Sequence, residues 1–135
     1  MTLLYVGVSP GKQGSRETLR SRLRFHYQGH AEGSTLRLSL GCLLEHELGT
    51  ALRCSGSRMV FGAAEGRLSK WMADNTAVSW IETESPLPVE EYLLQSLDLP
   101  LNIAGNRRHP FCASLRSLRA SARERAEKQP NLKAR

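Results

Sequence analysis

The chain has 135 residues, which is enough for one domain with a hydrophobic core and too few for two. Its 40% apolar and 24% charged residues are typical of a globular protein. No stretch approaches the roughly 18 apolar residues that span a bilayer, and the N-terminus lacks the basic region of a signal peptide. Its three cysteines are scattered without a C-x-x-C pair, which excludes a zinc finger or a disulfide framework. We therefore expect a cytoplasmic protein that does not bind membranes.

The positive charge is concentrated in two parts of the sequence. The net charge is +4 over residues 12–37, −5 over residues 38–105 and +7 over residues 106–135. Such clustering suits a polyanionic partner, because neutralising phosphates releases condensed counterions. The alternative is a solvated basic tail that has no partner.

Hydrophobic periodicity and turn residues predict short strands interleaved with helices. Ser34 can cap a helix that ends at Gly49, and prolines at positions 86 and 110 suit helix first turns. Apolar Leu36, Leu40 and Leu43 should face the core from the helix that Ser34 begins. The predicted elements are, in chain order, a strand over 3–8, helices over 18–27 and 35–48, a strand over 58–61, a helix over 64–74, a strand over 77–82, and helices over 86–99 and from 110 to about 128.

Four polar motifs occur in a fixed order along this pattern. Tyr5-Val6-Gly7 lies in the first predicted strand, and Arg22 precedes His26 by four residues on the first helix. Glu90 begins a later helix, and Asn102 follows it by twelve residues after a proline. This series resembles the GIY-YIG nuclease superfamily over roughly residues 3–112.

The resemblance implies a small single α/β domain with a short mixed or antiparallel sheet flanked by helices. We expect this domain to cover residues 1–112, with a basic helix over 110–128 packed on it and a flexible tail over 129–135. The family's first strand, Gly-Ile-Tyr, is missing, since only four residues precede Tyr5. A misplaced start and the loss of an edge strand with its catalytic tyrosine are both open.

The resemblance also implies catalytic roles for four residues. Tyr5 would lie beside the scissile phosphate and help to position or deprotonate the water, and Arg22 would stabilise the transition state through its bidentate fork. His26 would line the site, where an imidazole that titrates near neutrality could shuttle protons. Glu90 would be the ligand of one Mg²⁺ or Mn²⁺ ion. Without the resemblance, Glu90 would be an ordinary glutamate at a helix N-terminus. Glu91 is the second candidate for the metal ligand.

Two further residues are expected to support this site. Gly7 would allow close approach of the backbone or of DNA at a point where a side chain would clash. Asn102 would have a structural role, bonding backbone groups that hold the helix of Glu90.

Several basic residues are candidates for contacting a phosphate backbone. Three arginines repeat along one stripe of the last predicted helix, and others lie in the loops before the first and last helices. The nucleic-acid-binding residues predicted in this way are Lys12, Arg107, Arg108, His109, Arg116, Arg119 and Arg123.

Three functional hypotheses follow. The first is a metal-dependent endonuclease of the GIY-YIG type that hydrolyses phosphodiester bonds in DNA, with RNA as the other possible target. The second is a nucleic-acid-binding module of the same fold that has lost catalysis. The third is a small interaction subunit whose basic tail docks on an acidic protein.

Overall fold

A computed structural model describes residues 1–132 and confirms an α/β fold. It contains a two-stranded antiparallel sheet, two single 3-10 turns and six α-helices within those residues. The elements are α1 (Leu19–Gln28), α2 (Thr35–Leu43), α3 (Glu45–Leu48), β1 (Arg53–Ser55), β2 (Arg58–Val60), α4 (Glu65–Asn75), α5 (Pro86–Ser96) and α6 (Pro110–Glu127). None of the described helices combines the length and the apolar composition needed to cross a membrane.

Helix α2 lies at the centre of the molecule. Six consecutive residues, 37–42, are buried, whereas a surface helix buries only one stripe. Helix α6 packs against it and buries Leu115, Ala122 and Ala126 in the shared hydrophobic core. The predicted core stripe was therefore wrong in part, because Leu43 is 39% exposed and the helix buries nearly its whole circumference.

The sequence signals for the ends of helices are confirmed at several positions. The Ser34 side chain caps α2 by accepting the backbone N–H of Arg37, and Gly49 ends α3 in the left-handed region at φ 62°. The single helix predicted over 35–48 is, however, two helices that are divided at Leu44. Pro86 and Pro110 both occupy helix first turns. These signals are local, so they do not depend on how the helices pack.

Strands β1 and β2 form a hairpin that binds the end of the described chain. Arg53 pairs with Val60 in its register. The Asn131 side chain accepts from the Gly56 amide and donates to the Gly56 carbonyl, and the Leu132 amide donates to Cys54. The tail predicted to be flexible over 129–135 is thus hydrogen-bonded as far as Leu132, and residues 133–135 lie outside the described part.

Two predicted strands were wrong. Residues 77–82 have no regular structure and are exposed, with Trp80 62% and Ile81 70% accessible. Residues 3–8 join no sheet either, although the amide of Leu101 donates to the carbonyl of Leu4. Strand composition alone does not make a strand, because a ladder needs a neighbouring strand with matching backbone groups.

Candidate active site

The side chain of Asn102 holds the N-terminal segment in place. Its Oδ1 accepts the backbone N–H of Val6 at 2.9 Å, and its Nδ2 donates to the carbonyl of the same residue at 2.8 Å. The side chain thus forms the two backbone hydrogen bonds that a neighbouring strand would otherwise form with Val6, which is next to Tyr5. Asn102 itself is only 5% exposed. Asn102 therefore has a structural role, but the predicted partner was wrong. Its side chain holds the segment that carries Tyr5, not the helix that carries Glu90.

A cavity of about 360 Å³ brings together five of the six predicted catalytic and supporting residues. It lies between the N-terminal segment, α1, α5 and the loop after α5, which are far apart in sequence. The predicted residues that line it are Tyr5, Gly7, Arg22, Glu90 and Asn102. A Cβ atom on Gly7 would lie 3.0 Å from a carbon of the Tyr5 ring, so glycine lets this ring fold close to the backbone.

Arg22 is the positive centre of this cavity. Its Nε atom is buried without a hydrogen-bond partner among the described residues, and its closest carboxylate oxygen, on Glu17, is 3.7 Å away. The side chain as a whole is 31% exposed, and an arginine whose hydrogen-bond donors are not all used within the protein can bind an anion. Arg22 is therefore a candidate for binding a phosphate group.

Burial opposes the charged forms of the two acidic groups in the cavity. Burial raises the pKa of Tyr5 above its usual value, while the positive charge of Arg22 acts in the opposite direction. Burial likewise raises the pKa of the Glu90 carboxyl, again against the charge of Arg22. An added cation beside Glu90 would offset that desolvation and favour its ionised form.

His26 lies beside the cavity and does not titrate near neutrality, contrary to prediction. It is 6% exposed, and its ring packs edge-on against the Tyr5 ring with the centroids 5.8 Å apart. Burial, together with the smaller effect of the Arg22 charge, lowers the pKa of His26 to about 4. The imidazole is therefore neutral at physiological pH.

Arg37 is a residue that sequence reasoning missed. It is fully buried, and its guanidinium donates to the His26 carbonyl, to Ser69 and to the Glu65 carboxylate, the last at 2.7 Å. The carboxylate also accepts the backbone N–H groups of Ala31 and Phe61. The only sign of this network in the sequence was an arginine within the apolar run of α2. The network fixes the end of α1, next to the cavity.

A family model for the GIY-YIG catalytic domain matches residues 1–121. The chain belongs to the GIY-YIG family. It therefore has a nuclease-type fold, and its family acts on nucleic acids. No curated protein and no solved structure matches the chain.

This GIY-YIG domain has a second concave surface beside the first, with a volume of about 330 Å³. Thr35, at the start of α2, lines both. Arg119 and Arg123 line the second, together with Glu32 and Glu127. Neither arginine forms a hydrogen bond or an ion pair within residues 1–132, and burial lowers the pKa of Arg119. The other predicted phosphate-binding arginines and Lys12 are exposed and line neither surface.

His109 is not free to contact a phosphate, contrary to prediction. Its Nδ1 accepts the backbone N–H of Phe111 as the cap of α6, and its Nε2 bonds the Asp98 carboxylate at 2.5 Å. Because both ring nitrogens are used within the protein, His109 joins the start of α6 to the loop after α5.

Glu90 is the one carboxylate lining the first cavity within the described residues, where no group of three or more metal-ligating side chains converges. Mg²⁺ keeps several waters and often binds through one or two carboxylates together with substrate phosphates. A partly buried lone carboxylate in an open cavity fits that coordination, whereas a multi-ligand zinc site would not fit.

Proposed function

We propose that this protein is a metal-dependent endonuclease that hydrolyses phosphodiester bonds in DNA. One observation supports this above all: Tyr5, Arg22 and Glu90, which come from three separate parts of the chain, line a single cavity. Ordinary surface residues with unrelated roles would have no reason to converge in this way. The family's fold provides the setting for phosphodiester chemistry.

In this proposal each side chain has a distinct task. Arg22 binds the scissile phosphate and stabilises the negative charge that grows on it, through the exposed part of its side chain. Glu90 would hold Mg²⁺ or Mn²⁺, which when bound supplies charge stabilisation and assists the leaving oxygen. Tyr5 positions the attacking water through its hydroxyl. Its raised pKa means that the phenol is protonated in the free protein.

The DNA backbone would continue from the catalytic cavity across Thr35 into the second concave surface. The two surfaces share that residue, so they are adjoining. Arg119 and Arg123 lie one helical turn apart on α6, and neither forms an ion pair within residues 1–132, although Glu32 and Glu127 line the same surface. Their mutual repulsion and partial desolvation would be relieved by a phosphate.

A comparison of two adjacent glutamates tests the catalytic part of the proposal. Glu90 lines the cavity, whereas Glu91 is exposed and accepts a hydrogen bond from Gln95. Plasmid and branched DNA would be incubated with the protein, with and without Mg²⁺. Glu90→Ala should abolish Mg²⁺-dependent cleavage, and Glu91→Ala should retain it. Cleavage by Glu90→Ala at the wild-type rate would refute the metal assignment, and binding without cleavage by the wild type would favour the non-catalytic module.

The DNA path is tested by salt dependence. The double variant Arg119→Gln/Arg123→Gln should weaken binding to every duplex and reduce the slope of log K against log salt by up to about 1.8, at about 0.9 per phosphate contact. Arg125, on the same helix, is paired with Glu45 at 2.6 Å, so Arg125→Gln is the matched control. An unchanged slope in the double variant would mean that α6 does not contact the DNA, and it would favour the interaction-subunit hypothesis.

A further inference from the structure

The hydroxyl group of Ser34 connects the start of α2 to the imidazole of His26. It accepts the backbone N–H of Arg37 at 3.1 Å and lies 2.7 Å from Nδ1 of His26. Ser34 is 1% exposed and His26 is 6% exposed, so water contributes little to this arrangement. The hydrogen positions in such a buried pair can be assigned by counting donors and acceptors.

A serine hydroxyl has one proton and two acceptor lone pairs, and the Arg37 amide occupies one of those lone pairs. Within residues 1–132 the only hydrogen-bond acceptor for the Ser34 proton is Nδ1 of His26. If Ser34 donates, only the His26 Nε2–H group lacks a protein partner, and this atom is not among the fully buried ones. If Nδ1 donates instead, both the Ser34 proton and the Nε2 lone pair lack one. The first arrangement leaves fewer polar groups unsatisfied.

We propose that Ser34 is a positioning residue, which holds His26 as a neutral imidazole with its proton on Nε2. His26 then serves the site as a hydrogen-bond donor, toward Tyr5 or a phosphate oxygen, and not as the base that activates water. The catalytic consequence rests on the proposed nuclease function, whereas the tautomer does not.

The surrounding charges agree with a neutral ring. Arg22 and Arg37 both disfavour a second proton on His26, and among residues 1–132 Glu17 is the acid that favours it. Arg37 also donates to the His26 carbonyl at 3.0 Å, which fixes the backbone that carries the ring. The Ser34 hydroxyl therefore orients the ring, and the Arg37 guanidinium fixes the backbone that carries it.

Nuclear magnetic resonance of the full chain with ¹⁵N-labelled histidine tests the tautomer directly. At pH 7 the signals of His26, identified by their loss in His26→Gln, should show an unprotonated Nδ1 and a protonated Nε2. Ser34→Thr keeps a hydroxyl and should keep this pattern. Ser34→Asp still caps the helix but has no proton to donate, so Nδ1 should become protonated. A protonated Nδ1 in the wild type would overturn the proposal, as would an unchanged pattern in Ser34→Asp.

Cleavage assays then separate this proposal from the proposed function. Ser34→Asp should cut DNA about a hundredfold more slowly than wild type, the usual effect of losing one site donor, with DNA affinity little changed. Ser34→Thr should cut normally. Equal rates for Ser34→Asp and wild type would refute the donor role. A wild type that shows the expected tautomer and cuts no DNA would refute the proposed function alone.

Discussion

Acidification is expected to destabilise the protein specifically through His26. The folded-state pKa of this histidine, about 4, lies below its ordinary value of 6.5. As the pH falls through 6.5 the unfolded chain takes up a proton, whereas the folded chain does not until about pH 4. The unfolded state therefore binds more protons in this window, so the stability that His26 contributes near neutral pH is lost as the pH falls from about 6.5 to about 4.

The size of this effect follows from the two pKa values. Each pH unit between them corresponds to about 1.4 kcal/mol. At pH 5.0, about 1.5 units below the ordinary value, the unfolding free energy should be lower than at pH 7.5 by about 2 kcal/mol from His26 alone. The full loss, reached near pH 4, is about 3 kcal/mol. Staying at pH 5.0 limits the titration of ordinary carboxylates, whose usual pKa values are about 4.

Urea denaturation at both pH values measures the effect. His26→Gln removes the titrating ring, so the difference between wild type and this variant cancels the contributions of all other groups. His46 is exposed, so His46→Gln should keep the wild-type pH dependence. If wild type and His26→Gln lose the same stability between pH 7.5 and 5.0, then His26 is solvated in the folded protein, and the neutral-imidazole assignment fails with it.

Two further predictions concern packing and buried charge, both measurable by urea denaturation. Gly41→Ala should lower the free energy of unfolding by about 1–3 kcal/mol, because the added methyl group would overlap a buried phenylalanine ring. Gly66→Ala, in open space on α4, should instead raise it by about 0.5–1 kcal/mol. Equal effects of the two substitutions would contradict the packing around Gly41. Arg37→Met should cost about 3–5 kcal/mol because it breaks a buried ion pair. Arg58→Met, which removes an exposed pair at 3.7 Å, should cost less than about 1 kcal/mol, and a similar loss in both variants would refute the buried network.

The family could be inferred from the order of short motifs, and so could a group of residues that lie together in the folded protein. Tyr5, Arg22 and Glu90 were singled out from the sequence, and the structure places all three at one cavity. This was possible because the spacing along the chain reflects a fixed arrangement of elements. The stop at Gly49 and the starts at Pro86 and Pro110 were also predictable, since caps and first turns depend on neighbouring residues only.

What the sequence did not show depends on contacts between distant residues. The strand predicted over 77–82 found no partner, and β1 was not anticipated, because pairing is decided by the neighbour and not by composition. The tail from Pro130 to Leu132 is bound by a hairpin more than 70 residues earlier. No local pattern predicts such a contact.

The sequence by itself determined the family, the positions of most helices and the identity of the charged groups at the site. The chemical state of those groups was decided only by the tertiary structure. His26 is neutral chiefly because folding buries its ring, and no local pattern predicts that burial. The charge of Arg22, four residues earlier on the same helix, adds to the effect. Likewise, His109 is occupied by Asp98 and its own helix, so it is not free to bind phosphate. A side chain's ordinary chemistry is a property of its type, but its pKa and its free hydrogen-bonding capacity depend on burial and on partners that only folding supplies.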